Sequence, residues 1–291
     1  MEFGLYFAVT AAFVWGVYIY LLKELFSGYP PAALTVLINT FALAWYVPVV
    51  VTRTDFAAVR IDAYGPTDVA VVLITIVMTA VAFVLFLQAI AEGDVSYVTP
   101  INKVVPIFVL PLEILFLGQF LTPVQVFGVV VATAAVYVAN YDPSGLLQPI
   151  INAAHSRPAQ LALLSALCYA VSDLGKRVSL QELAIPETVW VPTLLLGVTI
   201  VLFPQAVHTP PPVSVLGDLP KLAAAGAIVA LGEHVTTLAF ATLPASIASP
   251  VINTQAIIAV VLGGILLGER YFRVRLIAAV LAVVGVSLIA L

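Results

Sequence analysis

The sequence predicts an all-α integral membrane protein with ten transmembrane helices, arranged as two inverted five-helix repeats. Three observations carry this. Of the 291 residues, 63% are apolar and 9% charged, where a soluble domain carries about 25% charged residues and needs them to cover its surface. Apolar stretches of about 20 residues, long enough to cross a bilayer's hydrocarbon core, recur along the whole chain. Finally, the second half repeats landmarks of the first at a shift of about 150 residues.

The spans are expected at 3–22, 30–51, 68–90, 96–118, 122–140, 158–178, 187–207, 217–241, 246–267 and 271–290. The first is too long, and too poor in preceding basic residues, for a cleaved signal peptide, and is read as a retained helix. Ser27-Gly28-Tyr29 turns the chain, and Pro30-Pro31 opens the second span, since proline suits the first turn of a helix. The charged stretch from Arg53 to Asp68 links spans two and three, and Glu92-Gly93-Asp94 separates three from four. Pro210-Pro211-Pro212 marks an extended loop before span eight. None of the runs alternates as a lipid-facing strand must.

Composition excludes other classes. Apolar content this high is not a disordered composition. The net charge is −4 with no basic run, so nucleic acid is not a partner. The single cysteine, Cys168, cannot close an internal disulfide and is read as a packed apolar residue. No H-E-x-x-H, acidic cluster or Gly-rich phosphate loop is present, so a lipid-modifying membrane enzyme is a weak alternative and no cofactor is expected.

In the repeat, Ser96 falls on Ser246, Thr99-Pro100 on Ser249-Pro250, and Gly118-Gln119 on Gly268-Glu269. At a slightly different offset, the run from Trp15 to Lys23 resembles that from Tyr169 to Arg177. This divides the chain into a repeat at 1–141, a linker at 142–157 and a repeat at 158–291. Five spans per repeat force the second copy upside down relative to the first. Inverted repeats are a transporter architecture, with the substrate site near the midplane between the halves. A scaffold or receptor without transport would leave that repeat and the polar groups at midplane depth unexplained.

The segment Ser249-Pro250, Gly263-Gly264, Leu267-Gly268-Glu269 and the final apolar span with Gly285 resembles the close of an EamA domain. Two such domains in tandem make the ten-helix members of the drug/metabolite transporter superfamily. The first half departs from the pattern, with Gln119 in place of the usual glutamate. Glu269 is therefore read as a cap and interfacial anchor, among Arg270, Arg273 and Arg275. The resemblance implies a central cavity used in turn from each side, and substrates such as amino acids, amines, nucleosides or nucleotide sugars. It also implies cytoplasmic termini, although the tally of basic residues by loop runs against the positive-inside rule. The expected setting is the plasma membrane of a prokaryote.

Ionisable groups inside spans are costly and mark candidate sites. Lys103 lies about 10 Å into span four at 1.5 Å per residue, placed to meet a substrate carboxylate or phosphate, or an internal acid. Glu233, with Thr236, Thr237 and Phe240 on its face, suits a desolvated carboxyl that loads and releases a proton, which would make protons the coupling ion. His234 titrates in the same range but points about 100° away. Asn102 and Glu113 share a stripe with Pro106 and Val109. Asn253 and Gln255 sit at the repeat image of Lys103, beside helices interrupted at Pro100 and Pro250. Trp15 and Tyr18 supply aromatic faces for a ligand or cation. Asn39 and Gln88 complete the candidate set, each equally able simply to bond a neighbouring helix. Asp173 and Lys176 read as a structural pair at spacing three. Gly263, Gly264 and Gly268 read as sites of close helix packing.

Overall fold

The computed structural model describes residues 2–55, 64–117, 122–139, 155–243, 248, 251–268 and 271–289. These residues form eleven α-helices: α1 (Glu2–Phe26), α2 (Pro31–Arg53), α3 (Pro66–Glu92), α4 (Val95–Asn102), α5 (Val105–Leu117), α6 (Pro123–Ala139), α7 (Arg157–Arg177), α8 (Glu187–His208), α9 (Val215–Thr242), α10 (Gln255–Leu266) and α11 (Phe272–Ile289). A π-helical turn, Val178–Glu182, extends α7. No strand occurs among the described residues. Among the described residues, five helices, α1, α2, α3, α8 and α9, are long and apolar enough to cross a membrane by themselves.

The fourth expected span is not one helix. It divides into α4 and α5 at Lys103 and Val104. Pro106 has no N–H to give to the carbonyl of Asn102, so the regular ladder fails there. The chain bridges the break with tighter bonds, from the Val104 N–H to the Ile101 carbonyl (3.5 Å) and from the Ile107 N–H to the Val104 carbonyl (2.9 Å). The ninth span breaks at the matching place. Residues 251–253 are helical, Thr254 is a turn, and α10 begins at Gln255. The Thr254 hydroxyl donates to the Val251 carbonyl at 2.7 Å, competing with the backbone ladder as threonine does.

Packing relates the two halves by a pseudo-two-fold. Helix α1 packs on α9, and α7 on α3. Helix α2 packs on α9, and α8 on α3. Helix α1 meets α10, while α7 meets α4 and α5. Finally, α2 packs on α8, and α6 on α11. Exchanging the halves maps each of these contacts onto another in the set, except α2–α8 and α6–α11, which map onto themselves.

Small residues allow the close crossings, as expected where lipid gives no hydrophobic drive to association. A Cβ on Gly226 of α9 would lie 2.5 Å from the Phe41 Cβ and 2.9 Å from the Ala42 backbone nitrogen on α2. At the image crossing, a Cβ on Gly197 of α8 would lie 2.6 Å from Ile76 on α3. Gly264 likewise abuts Phe272. Gly268 differs from the packing role expected of it. It stands in open space with φ +64°, and lets the chain turn in the left-handed conformation past the end of α10.

Candidate functional site

The broken helices meet α1, α2, α3, α7, α8 and α9 around a central cavity of about 140 Å³. It is walled by aromatic rings: Trp15 and Tyr18 from α1, Phe83 and Phe86 from α3, Tyr169 from α7 and Phe240 from α9. Trp15 stands edge-on to Tyr18 with ring centroids 5.6 Å apart, and Tyr18 stacks on Phe83 at 6.4 Å. The Trp15 indole donates to the Thr236 hydroxyl at 2.9 Å, fixing α1 to α9 at the cavity wall.

Four charged side chains line the same space: Lys103, Asp173, Lys176 and Glu233. Two acids and two bases give a formal sum of zero, as a low-dielectric site requires if charges are to persist in it. Lys176, 7% exposed, lies 4.0 Å from Glu233. Lys103 sits at the break itself, as the C-terminal cap of α4. Its ammonium lies between two rings, 5.4 Å from the Phe86 centroid and 5.3 Å from that of Tyr169, an arrangement that stabilises a cation with no anion in contact.

Polar atoms are left over. Glu233 Oε2 and the Tyr18 hydroxyl are buried at the cavity without a hydrogen-bond partner. Such groups are costly unless something satisfies them. The remaining polar lining comes from Asn39, Thr35, Thr79, Thr236, Asn253 and Gln255.

Of the residues expected at the site, Trp15, Tyr18, Asn39, Lys103, Glu233, Asn253 and Gln255 line the cavity. Three others lie elsewhere. Asn102 turns away and donates to the Ala162 carbonyl (3.2 Å) and the Ser165 hydroxyl (2.9 Å) on α7. His234 faces α2, where its Nδ1 and the Tyr46 hydroxyl share a hydrogen bond of 2.8 Å. Gln88 of α3 is absent from the lining. Glu113 belongs to α5, but its side chain lies outside the described residues, as do Pro250 and Glu269.

Asp173 and Lys176, read from sequence as a helix-surface pair, both face the cavity. Tyr169, which sequence reasoning passed over, holds Lys103. The signal for it was present, since Tyr169 is the repeat counterpart of Trp15. Among the described residues, no group of three His, Cys, Asp or Glu is placed to hold a metal.

The profile of the EamA-like transporter family matches residues 2–141 and 157–291, once on each half. The chain belongs to that family and is an integral membrane protein built of two inverted repeats. No curated protein matches it. A solved structure described only as "Crystal structure of protein" superposes with a TM-score of 0.68 at 15% identity, over 98% of this chain and 95% of that one. At that identity the likeness establishes the fold alone.

Proposed function

We propose that this protein is a secondary active transporter that moves a small polar metabolite, amino-acid- or amine-like, by alternating access. In this reading the chain crosses the membrane ten times, with a first repeat at 1–141, a linker at 142–157 and a second repeat at 158–291. It resides in the plasma membrane of a prokaryote.

One observation carries the reading: a charge-balanced, aromatic-walled cavity at the junction of the halves, bordered by both broken helices. Interrupted helices at matching positions are where transporters of this architecture hold substrate. A ligand carboxylate suits Lys103, and a ligand ammonium suits Glu233, Asp173 and the ring faces. The volume of about 140 Å³ lies below the ~300–1,000 Å³ of sites for drug-sized ligands, which favours small metabolites over nucleotide sugars.

Protons are the coupling ion in this reading. The direction assigned is export, so cells overproducing the protein should hold less of its substrate. The first test is a thermal-shift screen of purified protein against amino acids, amines, nucleosides and nucleotide sugars. A ligand at about 100 times its Kd stabilises by about 2.7 kcal/mol. Shifts confined to amino acids or amines are expected, and shifts confined to nucleosides or nucleotide sugars would overturn the substrate assignment.

A further inference from the structure

We infer that the substrate is a zwitterion with an uncharged side chain, its charged head lodged between Lys103 and the acids of α7 and α9, its side chain directed toward Ile19, Leu22 and Phe83. The inference rests on the transporter reading and names the substrate class of that same cavity. It comes from comparing the cavity with its own pseudo-two-fold image. Positions in α3, α4 and α5 map to the second repeat at a shift of 150 residues, and positions in α1 map to α7 at 154. Packing agrees with this register. A Cβ on Gly16 of α1 would lie 2.6 Å from Ile258 on α10, and the images of these two, Ala170 and Phe108, share one packed cluster.

Each charge in the cavity has an uncharged image. Lys103 maps to Asn253, Glu233 to Phe83, Asp173 to Ile19 and Lys176 to Leu22, and both members of every pair line the cavity. The charged set forms one cluster. Lys176 stands 4.0 Å from Glu233, Asp173 lies one turn from Lys176 and from Tyr169 on α7, and the Tyr169 ring holds Lys103. The image of that last contact differs in kind. There Trp15 and Thr236, the counterparts of Tyr169 and Phe86, bond each other directly at 2.9 Å, and Asn253 takes the place of the cation. Inverted repeats place the C-terminal turns of α1 and α7 toward opposite faces. The cavity is therefore charged toward the end of α7 and neutral toward the end of α1.

The charged part suits two opposite ligand groups. Lys103 touches two rings and, among the described residues, no carboxylate, which leaves its ammonium for a ligand carboxylate. Glu233 Oε2 lies beyond hydrogen-bond reach of Lys176 and is buried without a partner, as is the Tyr18 hydroxyl. Both are satisfied by a ligand ammonium. A ligand with both groups adds no net charge to a balanced site, whereas a monoamine satisfies half of it. Beyond the head, Ile19, Leu22 and Phe83 give a side chain nothing with which to pair a charge. Burying a charge unpaired is costly, so this part admits uncharged side chains and rejects charged ones.

The test is isothermal titration of the purified protein with four related ligands. L-Norleucine carries an apolar chain, L-lysine ends a similar chain in an ammonium, L-α-aminoadipate ends one in a carboxylate, and pentylamine is norleucine without its carboxylate. Norleucine should bind about tenfold or more tightly than each of the others. Ile19→Asp, which copies Asp173 onto the neutral end, should raise the affinity for lysine about tenfold. The selectivity of the parent carries the test if Ile19→Asp does not fold. Lysine, aminoadipate or pentylamine bound by the parent as tightly as norleucine overturns the inference and leaves the transporter reading standing, as does a folded Ile19→Asp that gains no affinity for lysine. Binding of none of the four, with binding of a nucleoside or nucleotide sugar, overturns the amino-acid or amine reading and this inference with it.

Discussion

At the scale of single residues, the site separates charges that face the cavity from polar groups that face other helices, and these respond differently to substitution. Lys103→Gln or Glu233→Gln should lower flux in proteoliposomes by about 10–100-fold, since a hydrogen bond to a charged group is worth about 1.5–3 kcal/mol. Elution and helix content should stay those of the parent. Full flux in both variants would remove these residues from the site. His234→Phe should leave flux within about twofold. It should cost about 1 kcal/mol of stability, read as a lower Tm, because the Tyr46 hydroxyl loses its partner. Lys103 and Glu233 were legible in the sequence because a charge deep in an apolar run stands out against its neighbours. Lys176 was not, because a span taken to stop at 178 puts it at the membrane edge. The helix in fact continues through the π turn at Val178–Glu182 and carries Lys176 further in. His234 shows the converse limit. A sequence gives the angle between adjacent side chains on a helix, but not which of the two faces the neighbouring helix.

At the scale of helices, glycine is informative only where a neighbour crowds it. Gly226→Ala sets a methyl group against Phe41 and the α2 backbone, which cannot yield as a flexible side chain can. It should destabilise by about 1–3 kcal/mol. Gly217→Ala, in the same helix but with open space around it, should be neutral or stabilise by up to about 1 kcal/mol. Thermal unfolding of the two variants in one detergent compares them directly, and equal Tm values would mean that the α2–α9 crossing is looser than described. A break in the fourth span was expected at Pro100, but Pro100 lies inside α4 and the break falls at Lys103 and Val104, ahead of Pro106. The division into two helices was not legible, because an apolar run of adequate length reads as one span whatever its backbone does inside.

At the scale of the whole molecule, most packing crosses between the halves. Helices α1, α2, α3 and α6 each lie against a partner from the other repeat. Either half expressed alone should therefore be degraded or aggregate. The two halves, split within 142–157 and produced together, should assemble and co-elute from size exclusion as one species. Stable recovery of one half by itself would contradict this. The repeat that organises this packing was readable at a handful of aligned residues, and with an odd number of spans it implied the inversion. Which helices meet across the pseudo-axis was not readable, since apolar surfaces on different helices are interchangeable in a sequence.

The position of the break at Lys103 and Val104 also has a mechanical consequence. Helix α4 has eight residues, about 12 Å of rod at 1.5 Å per residue, with Lys103 at one end and Asp94 just past the other. If the rod tilts about the break, the break acts as a fulcrum. A tilt of about 15° moves the far end by about 3 Å, enough to part Asp94 from Arg275, while the fulcrum stays nearly still. A ligand resting against Lys103 would thus sit where displacement is smallest, with the Asp94–Arg275 ion pair at the end of the lever arm. The cavity then holds its cargo steady while the far end of the same short rod moves.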